Sequence, residues 1–162
     1  MRKLIVCLLS VLCLSAGCIK KETGCPPSKD IVAPSAEQQV IEDYLLANNI
    51  SATKHSSGMY YQILKQGSGD SPNNCSSIIF SYTGKLSNGN EFDKGDNVAF
   101  TLGSLIEGCK KGLPLIQKGG NIKLYIPPSL GYGSADIKDN SGVVVIPANS
   151  MLIFNITLVD FQ

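Results

Sequence analysis

Hydrophobic and polar residues change their spacing three times along this chain of 162 residues. Near the amino terminus the stretch LIVCLLSVLCLSAG is almost continuously apolar, whereas residues 19–34 are polar, contain proline and show no period. Between residues 36 and 48 the apolar positions recur at helical spacing, at Val40, Ile41, Tyr44 and Leu45. From Met59 onward the apparent period is two, as in strands that bury alternate side chains. The pattern therefore predicts a leader, a spacer, one amphipathic helix and a β-rich domain.

The apolar leader has the composition of an export signal. Arg2 and Lys3 precede an apolar segment that is short for a membrane span, and it ends in Leu14-Ser15-Ala16-Gly17-Cys18. This ending resembles a bacterial lipobox, in which the cysteine thiol takes the lipid. We expect residues 1–17 to be a lipoprotein signal peptide and Cys18 to be the lipidation site. The alternative is an ordinary secretory signal with a chance cysteine.

Lipidation at Cys18 would anchor the protein to a membrane of the bacterial cell envelope, at its periplasmic face or at the outer-membrane surface. Residues 18–34 would then be a flexible tether. Residues 35–50 follow as the amphipathic helix, with Ser35 as N-cap and Gln38 at the capping-box position. We expect this helix to pack on its own domain, although an envelope protein partner is the alternative.

The two-residue period predicts five strands with one short helix between the third and the fourth. The strands are Met59–Gln66, Ile78–Tyr82, Val98–Leu102, Ile122–Ile126 and Met151–Val159, and the helix lies within Ile106–Leu115. Ser87-Asn88-Gly89 has the composition of a hairpin turn. Strands combined with one short helix indicate an α+β fold.

Composition argues against two kinds of binding site. Arg2 is the only arginine, and removing residues 1–17 leaves slightly more acidic than basic residues, so we expect no nucleic-acid partner. His55 is the only histidine, and we interpret it as a solvated loop residue. No cysteine–histidine cluster is present, so we expect no metal. Cys25 and Cys75 either pair as a disulfide or remain free thiols.

The segment from Ser81 to Phe154 contains, in order, SYTGKLSNGNEFD, VAFTLGSLIEGCKKGLPLIQKGG, IPPSLGYG, VVVIP and MLIFNITL. This ordered set resembles the FKBP-type peptidyl-prolyl cis–trans isomerases. The resemblance implies that residues 51–162 form a curved antiparallel sheet wrapped around a short helix. It also implies an isomerase of X-Pro bonds in polypeptides, with an apolar, aromatic-lined pocket and no cofactor.

The resemblance also implies which side chains act. The residues placed in catalytic roles are Tyr82, Phe92, Asp93, Ile106, Tyr132 and Phe154. Further substrate contacts are expected from Val98, Leu105, Cys109, Val145 and Ile146. In this scheme the Ile106 N–H and the Tyr132 hydroxyl hold substrate carbonyls, and Asp93 orients polar groups at the rim. Each of the apolar residues, taken singly, has the ordinary alternative of a core position.

Two features depart from the family pattern. Cys109 stands where the family usually has a tryptophan at the pocket floor, so we expect weak macrolide binding. Ser134–Gly142 is longer than the minimal family loop and is expected to overhang the site. The favoured function is an isomerase that assists the folding of exported proteins. The alternatives are a weakly catalytic module that binds proline segments, supported by Cys109, and a subunit of an envelope machine of the gliding type.

Overall fold

The computed structural model describes residues 28–162. The predicted signal peptide, the lipidation site Cys18 and most of the tether lie outside the described residues, so those assignments stay predictions. None of the helices within residues 28–162 has the length and apolar character needed to cross a membrane.

The described chain folds into two α-helices and eight strands. The helices are α1 (Ser35–Ala47) and α2 (Glu107–Gly112). The strands are β1 (Thr53–Lys54), β2 (Tyr60–Lys65), β3 (Ser77–Leu86), β4 (Glu91–Thr101), β5 (Asn121–Ile126), β6 (Ile137–Lys138), β7 (Val144–Ile146) and β8 (Leu152–Phe161). Short 3₁₀ turns occur at Leu102–Ser104, Leu113–Leu115 and Pro128–Leu130.

Six strands form one antiparallel sheet in the order β1-β2-β5-β8-β3-β4. Alternate residues of the long strand β8 are buried, at Leu152, Phe154, Ile156 and Leu158. They join a core to which α2 contributes Cys109 and the 3₁₀ turn after it contributes Leu113. The α+β class and the antiparallel sheet packed on a short helix are therefore confirmed.

Several elements differ in length from the prediction. The predicted strand Val98–Leu102 overlaps only the last four residues of β4, which pairs with β3 along nearly its whole length, and Leu102 already belongs to the following 3₁₀ turn. The helix predicted within Ile106–Leu115 is α-helical only over Glu107–Gly112 and then tightens into a 3₁₀ turn. Pro114 lies in that turn, where its missing N–H cannot continue an α-helical hydrogen-bond pattern.

Helix α1 begins at Ser35, but Ser35 is not its N-cap. Pro34 occupies the cap position, its carbonyl accepts from the N–H groups of Glu37 and Gln38, and no side chain caps the helix. The Gln38 amide instead donates to the Ala33 carbonyl, at 2.6 Å. The N-cap prediction was therefore wrong, because the backbone of Pro34 already starts the helical pattern.

Helix α1 packs on its own domain, as expected. Ile41 and Leu45 are buried in a second cluster against Tyr60, Tyr125 and Met151. At the edge of this cluster the Tyr60 hydroxyl donates to Glu42, which also pairs with Lys54 at 2.9 Å. Each fully buried aliphatic side chain stabilises such packing by about 1.5–3 kcal/mol. The division between residues 50 and 51 stays a prediction, as do the other domain boundaries.

The histidine and cysteine expectations have different outcomes. His55 lies outside helices and strands, as expected, but it is half-buried and only partly solvated. Its Nδ1 lies 2.8 Å from Ser57 Oγ and accepts from the Ser57 N–H. Burial and the neighbouring Lys111 charge lower the pKa of His55. Cys75 is disulfide-bonded. Its pairing with Cys25 stays a prediction, because Cys25 lies outside the described residues.

Candidate functional site

A cavity of about 280 Å³ lies between the buried face of the sheet and the segment that leads into α2. Its walls are mainly aromatic and aliphatic, and the polar groups are few. The lining residues are Phe80, Tyr82, Asp93, Phe100, Ser104, Leu105, Ile106, Cys109, Tyr132, Phe154 and Ile156. A concave apolar site with a few polar groups is the usual form of a binding site for a small group.

Strand register brings the aromatic side chains of the cavity together. Phe80 and Tyr82 point to the same face of β3 because they are two residues apart, and Tyr82 lies opposite Ile156 of β8. Phe154 lies opposite Gly84 in the same pairing. A Cβ at Gly84 would lie 2.6 Å from the Phe92 ring and 3.0 Å from the Phe154 ring. Glycine at this position therefore allows both rings to cover the strand.

The aromatic rings form a continuous wall. Ring centroids are 5.4 Å apart for Phe80 and Tyr82, and 6.1 Å apart for Tyr82 and Phe154. Phe100 lies 6.1 Å from Phe80, and Phe92 packs edge-on against Phe154 at 5.5 Å. Tilted and edge-on pairs of this kind stabilise a wall beyond the area that they bury. The wall is therefore preorganised before any ligand enters.

One polar pair lies at the mouth of the cavity. The Tyr82 hydroxyl donates to Asp93 Oδ2 at 2.6 Å, and the Lys94 N–H donates to Asp93 Oδ1 at 2.9 Å. Burial raises the pKa of Tyr82, and its hydrogen bond to Asp93 raises the pKa further. Tyr82 is therefore a neutral donor near physiological pH, and both carboxylate oxygens of Asp93 already accept a hydrogen bond.

Two further residues that line the cavity carry hydrogen-bond donors, Ile106 and Tyr132. Tyr132 is 40% exposed, and burial of the rest of the side chain raises the pKa of its hydroxyl, which stays protonated. The Ile106 carbonyl accepts from the Cys109 and Lys110 N–H groups. Among the described residues, however, nothing accepts a hydrogen bond from the Ile106 N–H. Both groups are therefore available as hydrogen-bond donors, and their contact with substrate carbonyls stays a prediction.

Cys109 is the third residue of α2 and forms part of the cavity wall. The residue is only 5% exposed, and burial raises the pKa of its thiol to about 12. The thiolate is the nucleophilic form of cysteine, so this residue is chemically inert near neutral pH. At this position the chain has a small apolar surface and no reactive group.

Four of the residues predicted from the resemblance do not line the cavity: Phe92, Val98, Val145 and Ile146. Phe92 supports the wall through Phe154, and Val98 packs partly buried on the same core. Ile146 is buried in that core, and Val145 packs against it. The roles of all the predicted site residues in substrate contact stay predictions.

Four lining residues were missed at the level of sequence: Phe80, Phe100, Ser104 and Ile156. The two-residue period could have found Phe80 and Ile156, because they share a strand face with Tyr82 and Phe154, respectively. Phe100 is harder to find, since it is 48% exposed, and in the structure its ring packs against Phe80.

The segment Ser134–Gly142 is partly ordered as a hairpin rather than a plain loop. Strand β6 within it pairs with β7, and the Asp139 carboxylate accepts from the N–H groups of Ser141 and Val143. None of the residues 134–142 lines the cavity. Whether this hairpin overhangs a bound substrate stays a prediction.

Comparison with known proteins identifies the family to which this domain belongs. Residues 69–159 match the family described as FKBP-type peptidyl-prolyl cis-trans isomerase. This match covers more than half of the chain, and the chain belongs to this family.

Individual relatives give the same result. The chain is 41% identical over 111 residues to the FKBP-type peptidyl-prolyl cis-trans isomerase FkpA of Escherichia coli K12, covering 66% of this chain and 39% of that protein. It is 47% identical over 111 residues to FkpA of Buchnera aphidicola subsp. Baizongia pistaciae, covering 66% and 42%. The crystal structure of Escherichia coli FkpA matches with a TM-score of 0.66 and 35% identity, over 79% of this chain and 59% of that chain. The chain thus spans less than half the length of these two curated relatives.

Proposed function

We propose that this protein is a peptidyl-prolyl cis–trans isomerase that accelerates rotation about X-Pro bonds of polypeptides bound in the cavity. Support comes from family membership and, above all, from a cavity of about 280 Å³ walled by aromatic side chains. The proline ring would enter this cavity, and the peptide bond before it would lie near the mouth, beside Tyr82, Asp93 and Tyr132.

Rotation about a prolyl bond needs no nucleophile. The barrier of about 18–20 kcal/mol comes from resonance across the C–N bond, and the twisted state loses that resonance and much of its charge separation. An apolar surrounding therefore favours the twisted state relative to the planar one, which is differential binding of the transition state. Phe80, Phe154 and Ile156 would provide this surrounding.

Charge at the site is consistent with non-covalent catalysis. Burial raises the pKa values of Cys109, Tyr82 and Tyr132, so all three side chains are neutral near pH 7. The Ile106 N–H and the Tyr132 hydroxyl would donate to substrate carbonyls and hold the chain on each side of the proline. Asp93, fixed by Tyr82 and the Lys94 N–H, would orient donors at the rim without forming a covalent bond.

We further propose that the protein works in the bacterial cell envelope, anchored through lipid on Cys18, where it assists the folding of exported chains. Uncatalysed prolyl isomerisation takes about 10–100 s, which is slow enough to limit folding. The lipobox-like ending at Cys18 supports the anchor. Radiolabelled fatty acid should enter the wild-type protein and not the Cys18→Ser variant. Equal labelling of both would reject lipidation at this residue.

The weakly catalytic alternative rests on Cys109, because a thiol provides less apolar surface at the cavity floor than an indole. A protease-coupled assay with a Xaa-Pro tetrapeptide, run beside a binding titration of an uncleavable proline peptide, separates the two functions. We expect binding and a rate above background. A folded protein that binds the peptide and leaves the isomerisation rate at background would identify a binding module instead.

A further inference from the structure

Helix α1 contacts the loop that carries Tyr132 through one long-range hydrogen bond. The Ser129 N–H donates to Glu37 Oε2 at 2.9 Å, across 92 residues of sequence, and both residues are half-buried. A hydrogen bond to a charged acceptor is about twice as strong as one between neutral groups. The Ser129 hydroxyl, in contrast, is buried without a partner among the described residues. Glu37 is therefore the side chain that holds this part of the loop from outside.

Backbone hydrogen bonds within the loop connect the turn that contains Ser129 to the residues on either side of Tyr132. Ser129 is the central residue of the 3₁₀ turn Pro128–Leu130, and the Pro128 carbonyl accepts from the N–H groups of both Gly131 and Gly133. Tyr132 lies between these two glycines. A shift of the 3₁₀ turn would therefore move the Tyr132 hydroxyl relative to the cavity.

Glu37 itself is held on a well-fixed helix. Ile41 and Leu45 are buried beneath α1, and Glu42 of the next turn accepts from Tyr60 and pairs with Lys54. None of these contacts involves the loop. Glu37 thus joins a rigid helix, which precedes the matched family region of residues 69–159, to a loop inside that region.

We propose that Glu37 is a positioning residue for Tyr132, and that this one contact links helix α1 to the candidate site. The inference rests on the proposed isomerase function, because it assigns a role in that reaction. Tyr132 lies between two glycines and is 40% exposed, so local packing constrains it weakly. The Glu37 bond restricts its motion by fixing the turn three residues upstream.

Three variants of the full-length protein test the proposal. Glu37→Ala removes the acceptor, Glu37→Gln keeps an acceptor oxygen, and Glu42→Ala removes an equal charge from the same helix at a contact that avoids the loop. The measurements are kcat/KM in the tetrapeptide assay, amide hydrogen exchange at Ser129, and the NMR shifts of the Tyr132 ring. All are made below the unfolding transition of every variant.

We expect Glu37→Ala to lower kcat/KM by about threefold to tenfold, since small misplacements of a positioning group have large effects on rate. Ser129 exchange should become faster and the Tyr132 shifts should move. Glu37→Gln should restore most of the activity, and Glu42→Ala should leave kcat/KM, exchange and ring shifts close to wild type. A similar loss of activity in Glu37→Ala and Glu42→Ala would overturn the proposal, because it would reveal only loosening of the helix.

The NMR measurements separate this inference from the proposed function. If the wild-type protein showed no isomerase activity, the function would fail, whereas exchange at Ser129 and the Tyr132 shifts would still report the positioning contact. If Glu37→Ala left both unchanged, the positioning role would be rejected even in an active enzyme.

Discussion

The Tyr82 hydroxyl donates a 2.6 Å hydrogen bond to Asp93 Oδ2 at the mouth of the cavity, and so joins β3 to β4. The Tyr82 ring belongs to the aromatic wall, 6.1 Å from Phe154, while Asp93 faces solvent. The pair therefore fixes the boundary between the apolar interior and the polar rim. This boundary is where the peptide bond of a substrate would lie.

Tyr82→Phe keeps the ring and removes this hydrogen bond. A hydrogen bond to a charged group contributes about 1.5–3 kcal/mol, so we expect kcat/KM to fall by about tenfold or more. Asp93→Asn should have a smaller effect, because its amide oxygen can still accept from Tyr82.

The matched control is Ser81→Ala, which removes an equally short bond from Ser81 to Asp96, 2.6 Å long, on the adjacent residue of the same strand. Neither Ser81 nor Asp96 lines the cavity, so activity should stay near wild type. Equal losses in Tyr82→Phe and Ser81→Ala would contradict a specific role for the Tyr82–Asp93 pair.

The thiol of Cys109 should resist alkylation. Because burial raises its pKa to about 12, almost none is thiolate at pH 8. Iodoacetamide should leave the Cys109 peptide unmodified in the native protein and modify it after unfolding in urea, as mass spectrometry would record. Rapid native labelling at pH 8 would show that the thiol is more accessible than its burial indicates.

The same shift in pKa has a consequence for stability in alkali. The unfolded thiol loses its proton near pH 8.5, whereas the folded one keeps it to about pH 12, so unfolding becomes more favourable as pH rises through this interval. The free energy of unfolding of Cys109→Ala should therefore fall less between pH 8 and pH 10.5 than that of the wild type. Urea titrations at the two pH values measure the free energy of unfolding of each protein. An equal decrease in wild type and Cys109→Ala would contradict the raised pKa of Cys109.

Enlarging residue 109 should improve binding of macrolides. In Cys109→Trp the indole would extend the apolar floor of the cavity, and a buried aromatic side chain provides about 150–250 Å² of contact area. We expect affinity for an FKBP-binding macrolide to rise at least tenfold, about 1.4 kcal/mol, in a fluorescence titration that uses the new tryptophan or in calorimetry.

Cys109→Leu is the control that adds side-chain volume without an aromatic ring, and it should raise macrolide affinity less than Cys109→Trp does. Macrolide binding by the wild-type protein as tight as that of Cys109→Trp would show that the floor does not limit affinity.

Helix α1 should contribute to stability through its buried face. Ile41→Ala opens space in the cluster with Tyr60, Tyr125 and Met151, and should lower the free energy of unfolding by about 2–5 kcal/mol. Val40→Ala is the control on the same helix, because Val40 is 56% exposed and its loss should change stability by less than about 0.5 kcal/mol. Chemical denaturation measures both changes in stability. Indistinguishable midpoints for Ile41→Ala and Val40→Ala would mean that α1 does not pack stably on the domain.

The sequence predicts the strands of the main sheet well because their burial is one-sided. In β8 the buried residues Leu152, Phe154, Ile156 and Leu158 alternate with less buried ones, so the amino-acid sequence itself shows the alternation. The first half of β4 is different, since Glu91, Asp93 and Lys94 are exposed at the edge of the sheet, and this half was missed. Edge strands with charged residues lack the pattern by which strands are identified.

The lining of the cavity was predictable where a residue is part of an ordered motif, as for Tyr82, Asp93, Ile106, Tyr132 and Phe154. Their roles in substrate contact stay predictions. The lining was not predictable where tertiary packing determines which way a side chain points. Val98 and Ile146 pack on the core and do not line the cavity, whereas the exposed Phe100 packs on Phe80 and does line it. The Glu37–Ser129 bond spans 92 residues and has no signal in the local sequence.

The central claim is that the aromatic cavity catalyses prolyl isomerisation, and kcat/KM for a Xaa-Pro tetrapeptide tests it most directly. We predict that the wild-type protein accelerates isomerisation well above the uncatalysed rate. Phe154→Leu, which opens the cavity wall, should lower kcat/KM about tenfold or more, whereas Phe161→Leu near the end of the same strand should not. A wild-type rate at background, or equal rates in the two folded variants, would contradict this account.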